Sequence, residues 1–151
     1  SGRAGLAGEV LIQTRHATHE TLRTLVSEDY GHFARALLVE RRNAYMPPFS
    51  YLALFRAEAI DMRAPETFLG IVRERAAGIL AAQGNQDVAL LGPLPAPMER
   101  RNGKFRAQLL LQCPQRRTLQ NLLSALCPEL ESMKESRSVR WSLDVDPQDM
   151  I

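Results

Sequence analysis

After Pro47-Pro48 the hydrophobic pattern of the chain changes period repeatedly, and the order of these changes limits what the chain can fold into. In the stretch from Tyr51 to Glu58, apolar and polar residues alternate towards the end, which is typical of a strand. Residues 65–82 instead have apolar side chains at helical spacing. Four further stretches follow in the order strand, strand, helix, strand: residues 88–91, 104–112, 115–126 and 139–145. Pro128 is expected to stop the second helix before it.

This order of strand, helix, strand, strand, helix, strand predicts an α+β fold of the split βαβ, or ferredoxin-like, type. Such a fold has a four-stranded, mostly antiparallel sheet with both helices on one face, which leaves the other face for a partner. Trp141, the only tryptophan, falls on the apolar side of the last strand and is expected in the core. Because Pro47-Pro48 cannot continue a helix, we predict two domains, residues 1–46 and 47–151.

The first domain contains a short strand-like stretch, Glu9 to Gln13, and then two helical stretches at 20–26 and 30–42, with Asp29 as a plausible N-cap of the second. A strand needs neighbours, and no second strand-like stretch follows until Tyr51. We therefore expect residues 1–46 to be the tail of a larger domain. The chain is expected to be a fragment of a longer protein.

Charge is concentrated in one short segment, although the net charge of the 151 residues is only +2. Residues 100–117 carry six basic side chains and no acidic one. Asn102-Gly103 suits a tight hairpin turn, and four cations and one aromatic ring surround it: Arg100, Arg101, Lys104, Phe105 and Arg106. Cations on an exposed turn can contact phosphates, and a ring can stack on an unpaired base. The alternative is a solvated hairpin tip with the ring in the core.

No catalytic constellation or metal site is evident in the sequence. Asp144 and Asp146 flank one residue of a strand and so share a face, which would suit acid–base or Mg²⁺ chemistry, but a solvated strand end is the simpler interpretation. His16 and His19 lack further ligands at metal-binding spacing, as do the two cysteines. No apolar run approaches the roughly 18 residues of a membrane span. We therefore expect no metal, no membrane partner and a reducing, cytoplasmic location.

Arg116 and Gln120 lie four residues apart near the start of the second helix of the βαββαβ pattern, and so on one face of it. A cation in this position can receive a carboxylate. Arginines in the opening turn of a helix are more often simply solvated. The sequence alone leaves both interpretations open.

Several segments resemble, in the same order, the C-terminal region of the PriA family of bacterial primosomal replication-restart DNA helicases. They are Gly2-Arg3-Ala4-Gly5 with residues 8–14, Glu40-Arg41-Arg42 with Pro47-Pro48-Phe49, Leu91-Gly92-Pro93 with Pro95-Ala96-Pro97, Arg106 with residues 108–112, and residues 139–147. The last of these is the most specific.

The resemblance implies an intact protein that couples ATP hydrolysis to 3′→5′ unwinding at stalled or repaired forks and initiates primosome assembly. Residues 1–46 would be the tail of its second helicase lobe, where Arg3 resembles an arginine that faces the ATP γ-phosphate. The family's phosphate-binding loop, acidic Mg²⁺ motif and zinc-binding cysteines lie upstream. The fragment is therefore expected to bind no cofactor and to be non-catalytic.

The resemblance also implies partners for the second domain. They are forked and single-stranded DNA, the acidic C-terminal tail of single-stranded DNA-binding protein, and other primosome proteins, in a nucleoid-associated setting. The five hairpin residues would contact DNA, whereas Arg116 and Gln120 match positions implicated in binding that tail. The rival hypothesis is a stand-alone RNA-binding or assembly module of the ribosomal type. It explains the basic hairpin but not the isolated first strand.

Overall fold

A computed structural model describes residues 10–27 and 30–148 of the chain. The chain divides into two units, residues 1–43 and 44–151. Among the described residues, no helix is both long enough and apolar enough to cross a membrane.

The N-terminal unit contains two helices, α1 (Glu20–Ser27) and α2 (Tyr30–Asn43). They contact each other, and Thr21 Oγ1 donates a hydrogen bond to Glu40 Oε2 at 3.3 Å. None of the side chains described in these helices is buried. The predicted strand over 9–13 is wrong for residues 10–13, which are irregular and exposed. No described strand pairs with them, and an unpaired strand leaves its backbone groups to water. Glu9 and Asp29 lie outside the described residues.

The C-terminal unit follows the predicted order of elements. Its helices and strands are β1 (Tyr51–Ala59), α3 (Ala64–Ala82), β2 (Ala89–Arg101), β3 (Lys104–Cys113), α4 (Arg116–Ser132), a 3₁₀ turn (Glu135–Ser138) and β4 (Arg140–Val145). The strands form one sheet in the order β2-β3-β1-β4, with every neighbouring pair antiparallel. The predicted α+β class and four-stranded antiparallel sheet are confirmed. The ferredoxin-like assignment and the helicase-lobe tail stay predictions.

The core of this unit lies between one face of the sheet and helices α3 and α4. Strand alternation sends every second side chain to this face, so Phe55 of β1 and Leu109 of β3 are fully buried against α3 and α4. Trp141 of β4 packs at the edge of this core, with its ring 6.2 Å from that of Phe55 and 6.1 Å from that of Phe68. The prediction that Trp141 belongs with the core is confirmed.

Strand β2 is longer than predicted, because it continues through Gly92-Pro93 to Arg101. Two irregularities in its pairing with β3 accommodate the prolines, which are tolerated on an edge strand because their missing N–H faces solvent. Gly92 has a φ of +109°, and a Cβ there would lie 2.9 Å from the carbonyl oxygen of Gln108. A glycine is therefore required at this bend.

Helix α4 is also longer than predicted, because it continues through Pro128 to Ser132. Proline in a helix removes one backbone hydrogen bond and crowds the preceding turn. Here the continuing helix buries Leu130 completely, one turn beyond the equally buried Leu126. The apolar contacts of Leu130 offset the cost of the proline. The start of the helix is one residue later than predicted, since Gln115 takes the N-cap position.

Candidate nucleic-acid interface

A groove of about 410 Å³ lies on the open face of the sheet, by which we mean the face opposite α3 and α4, next to the β2–β3 hairpin. Its lining contains five cations and one carboxylate. We call this set the basic groove: Arg56, Glu58, Arg101, Lys104, Arg106 and Arg140. These side chains alternate along their strands with apolar ones such as Ala57 and Ala107, which are buried on the other face. The same alternation that builds the core therefore gathers charge on the open face.

Glu58 is the centre of the charge arrangement in the groove. Its Oε1 accepts a hydrogen bond from Lys104 Nζ at 3.0 Å and lies 3.8 Å from Arg140 Nη1. The hydrogen bond from Lys104, assisted by the charges of Lys104, Arg140 and Arg106, lowers the pKa of Glu58 despite its partial burial. Glu58 is thus ionised at neutral pH and holds two cations in place, and five cations still outnumber it in the lining of the groove.

Asp144 and Asp146 have structural partners and do not form a paired-carboxylate site. Asp144 Oδ2 accepts a hydrogen bond from Arg56 Nη1 at 3.1 Å. Asp146 Oδ1 accepts one from the backbone N–H of Leu52 at 3.3 Å. Each carboxylate thus ties β4 to β1, which favours the simpler of the two interpretations of this strand end.

The β2–β3 turn is formed by Asn102 and Gly103, whose φ angles are +51° and +76°. Two successive residues with positive φ are what a tight hairpin turn of the Asn-Gly type requires. The sequence prediction of a turn here is confirmed. The turn projects beyond the sheet, and both of its residues are exposed.

The five predicted DNA-contacting residues of this hairpin do not form one surface. Residues opposite each other in an antiparallel pair share a face. Arg101 pairs with Lys104 and lines the basic groove with it, together with Arg106. Arg100 instead pairs with Phe105 on the helix side, where its guanidinium lies 5.4 Å from the centre of the ring. The structure brings three of the five together and separates Arg100 and Phe105 from them.

Sequence reasoning missed three members of the groove, Arg56, Glu58 and Arg140. They lie far from the basic segment in the chain, so a count of charge by segment does not find them. The signal was present in the strands themselves. Arg56 and Glu58 alternate with buried alanines in β1, and Arg140 precedes the core-facing Trp141 in β4.

The other predicted site residues lie elsewhere. Arg116 and Gln120 are both exposed in the first turns of α4, on one face of the helix, and Arg116 makes no ion pair within the described residues. Arg3 lies outside the described residues. The structure therefore leaves the roles of these three residues as predictions.

The part of the chain that the structure describes offers no site for a zinc ion. No group of three or more metal-ligating side chains occurs among residues 10–27 and 30–148. Cys113 is buried, and burial, together with the charge of Glu131, raises the pKa of the Cys127 thiol. A raised pKa disfavours the thiolate that binds metals. The described donors do not fit a structural zinc.

The fold and the groove together define a small α+β domain with a basic surface on the open face of an antiparallel sheet. Residues 42–148 match the family model described as the primosomal protein N C-terminal domain, and the chain belongs to this family. The match covers nearly all of the C-terminal unit, including every residue of the basic groove.

Curated relatives agree with this assignment. The chain is 37% identical over 150 residues to the replication restart protein PriA of Haemophilus influenzae and 29% identical over 154 residues to that of Bacillus subtilis. These alignments cover 99% and 100% of this chain but only 20% and 19% of the relatives. The chain thus spans about a fifth of the length of the relatives it matches. Among solved structures, a de novo designed protein, Foldit4, aligns with 66% of this chain and 99% of its own at 10% identity and a TM-score of 0.46, too low to bear on function.

Proposed function

We propose that this chain is the C-terminal part of an ATP-dependent 3′→5′ DNA helicase that recognises stalled or repaired replication forks and initiates primosome assembly. In this proposal the C-terminal unit binds branched DNA through the basic groove. The observation that carries the proposal is the lining of the groove, with five cations and one carboxylate. Membership of the replication-restart family makes DNA, which is available at a fork, the natural polyanion.

The charges of the groove are suited to a phosphate backbone. Exposed cations that neutralise phosphates release counterions from DNA, which supplies most of the sequence-independent affinity. Arg101, Lys104 and Arg106 belong to one hairpin, whereas the exposed Arg140 extends the positive surface to β4 and Arg56, paired with Asp144, lies between them in β1. A strand of DNA could therefore follow the groove across the sheet. Arg100 and Phe105, on the helix side of the hairpin, would contact a second arm of a fork rather than the same one.

A stand-alone ribosomal-type RNA-binding module is the weaker alternative. The curated relatives are replication restart proteins about five times as long as this chain. RNA of the same length and shape therefore belongs in the experiment as a competitor. Binding that prefers an RNA hairpin to forked DNA would reverse this choice.

The test compares two double variants by titration of labelled forked, duplex and single-stranded DNA at two salt concentrations. Arg101→Ala/Arg106→Ala removes two cations from the groove. Arg73→Ala/Arg117→Ala removes two exposed cations from α3 and α4 and is the matched control. We expect the groove variant to weaken fork binding. It should also make the salt slope, which is the slope of the logarithm of the binding constant against the logarithm of the salt concentration, shallower by about 2, because each lost phosphate contact removes roughly 0.9. Equal effects of the two variants, or no binding of forked DNA by the unaltered chain, would overturn the proposal.

We also propose that the first turns of α4 contribute to the site for the acidic C-terminal tail of single-stranded DNA-binding protein. Arg116 and Gln120 are exposed on one helical face, and Arg116 can pair with a terminal carboxylate while its aliphatic stem packs against an apolar side chain. The rest of the site would come from parts of the intact protein outside this chain. The isolated chain should therefore bind a tail peptide weakly.

This second proposal is tested by NMR titration of the chain with the tail peptide. Arg116→Ala should abolish the chemical-shift changes around α4, whereas Arg73→Ala on α3 should leave them unchanged.

The intact protein would also hold ATP with Mg²⁺, with Arg3 facing the nucleotide, and structural zinc outside this chain. The chain alone should hydrolyse no ATP. Release of phosphate from ATP in a single-turnover assay of the chain would contradict that expectation.

A further inference from the structure

The loop between β1 and α3 exposes two large apolar side chains beside the basic groove. It consists of four residues, 60–63. Ile60 is 81% exposed and Met62 is 57% exposed, two large apolar side chains in a loop of four residues. Neither side chain contributes to the core, so the fold itself does not account for them.

The loop is held in a defined conformation. Asp61 Oδ1 accepts hydrogen bonds from the backbone N–H groups of Arg63 at 2.8 Å and Ala64 at 3.1 Å, where α3 begins. On the other side, Ala59 is the last residue of β1 and is paired with Phe105 of β3. The apolar residues are therefore presented by a short, anchored loop, and little conformational freedom would be lost when they meet a ligand.

Cations lie on both sides of this loop. Ile60 lines a cavity together with Lys104, Arg137 and Arg140, and two of these belong to the basic groove. Met62 lines a smaller cavity that contains two cations, Arg63 and Arg106, and two acids, Glu66 and Glu99. Ile60 thus borders the side on which cations outnumber acids, whereas the cavity beside Met62 carries balanced charges.

We propose that this loop is an apolar wedge that occupies the branch point of forked DNA. The inference rests on the proposed DNA-binding function and specifies how the junction is distinguished from plain duplex. Ile60 would cover the face of the last base pair before the two strands separate, while the cations of the adjoining basic groove hold the phosphates of one arm. Aliphatic side chains such as Ile and Met insert between base steps in this way in many proteins that bend DNA.

The branch point suits such a wedge better than continuous duplex does. Inserting a side chain into duplex requires the separation of two stacked base pairs, which is costly. At a fork the last base pair already has one face without a paired neighbour, so the wedge gains apolar contact at little cost. This difference would give preference for forked DNA without any contact that reads base sequence.

The experiment measures both affinity and base stacking with the 151-residue chain. The fork carries 2-aminopurine as the first unpaired base at the branch, and a duplex carries the same base internally. The variants are Ile60→Thr, which keeps the branching at Cβ but replaces the ethyl group by a hydroxyl, and Ile60→Phe, which enlarges the apolar surface. Val145→Thr is the matched control, because Val145 is an exposed, branched apolar residue at the opposite end of β4 from Arg140.

We expect the unaltered chain to raise the 2-aminopurine emission of the fork, because the wedge displaces the unpaired base from its stack. Ile60→Thr should lose this rise and bind the fork roughly threefold to tenfold more weakly, as expected for the loss of one apolar contact. Binding of duplex and the salt slope should stay unchanged. Ile60→Phe should retain the rise in emission and the fork preference.

Two failures can be told apart. If Ile60→Thr binds forked DNA and raises the emission as the unaltered chain does, the wedge is wrong, although the basic groove can still be the DNA site. If the unaltered chain binds no DNA, or binds it without dependence on Arg101 and Arg106, the proposed function fails first. Equal losses in Ile60→Thr and Val145→Thr would also overturn the wedge, since they would show a general effect on the fold.

Discussion

Lys104 Nζ donates a hydrogen bond to Glu58 Oε1 at 3.0 Å, which places the only carboxylate of the basic groove against one of its five cations. Arg140 approaches the same oxygen at 3.8 Å. The acid therefore fixes the positions of two cations that a phosphate would otherwise contact. In a groove that binds DNA, Glu58 would set the affinity by competing with phosphate for Lys104.

We expect Glu58→Gln to tighten binding of forked and duplex DNA. The substitution removes the negative charge that faces the phosphates and releases Lys104, a change of about 1 kcal/mol or roughly fivefold in affinity. One more phosphate contact should steepen the salt slope by about 0.9. Titrations at two salt concentrations measure both effects. Glu74→Gln, which removes an exposed acid from α3, is the control, and equal or weaker binding by Glu58→Gln would contradict the competition.

The lowered pKa of Glu58 should make one part of the stability depend on pH. Its ordinary pKa is 4.5, and the hydrogen bond from Lys104 lowers it in the folded state. Stability from this group is therefore fully present above pH 4.5 and is lost as the pH falls through the lower, folded-state pKa. Urea unfolding between pH 6 and pH 3 should show the difference in free energy between the unaltered chain and Glu58→Gln shrinking below pH 4.5. A difference that stays constant over this range would show that the pair is not coupled to folding.

The sequence predicted the framework of the C-terminal unit because hydrophobic period is a local property. The turn at Asn102-Gly103 and the core position of Trp141 follow from the same local rules. The ends of elements were predicted less well, because they depend on tertiary contacts. Burial of Leu130 carries α4 past Pro128, and pairing with β3 carries β2 past Gly92-Pro93.

The candidate site could be predicted only in part, because it is assembled across the sheet. The basic segment indicated the hairpin. The face of the sheet on which each hairpin side chain lies, however, depends on how the strands pair with one another. That register separates Arg100 and Phe105 from Lys104. Arg56 and Arg140 reach the groove through strand pairing between distant parts of the chain, which no window of the sequence contains.

Pro128 and Leu130 should have opposite effects on stability when each is replaced by alanine. Pro128 is exposed inside α4, so Pro128→Ala restores a backbone N–H and should raise the free energy of unfolding by up to about 3 kcal/mol. Leu130 is fully buried, so Leu130→Ala leaves a cavity and should lower it by about 2–5 kcal/mol. Chemical denaturation measures both. A loss of stability in Pro128→Ala would mean that the proline ring is itself required for packing.

Trp141 provides a direct optical test of where DNA binds. It is the only tryptophan of the chain, it packs against Phe55 and Phe68, and it also lines the basic groove. Forked DNA bound in the groove should therefore change its emission through the backbone of β4. In the Arg101→Ala/Arg106→Ala variant the same change in Trp141 emission should require a higher DNA concentration. If anisotropy shows binding while the emission of Trp141 stays constant at saturation, the DNA lies away from β4, because Arg140 and Ser142, on either side of Trp141, line the groove.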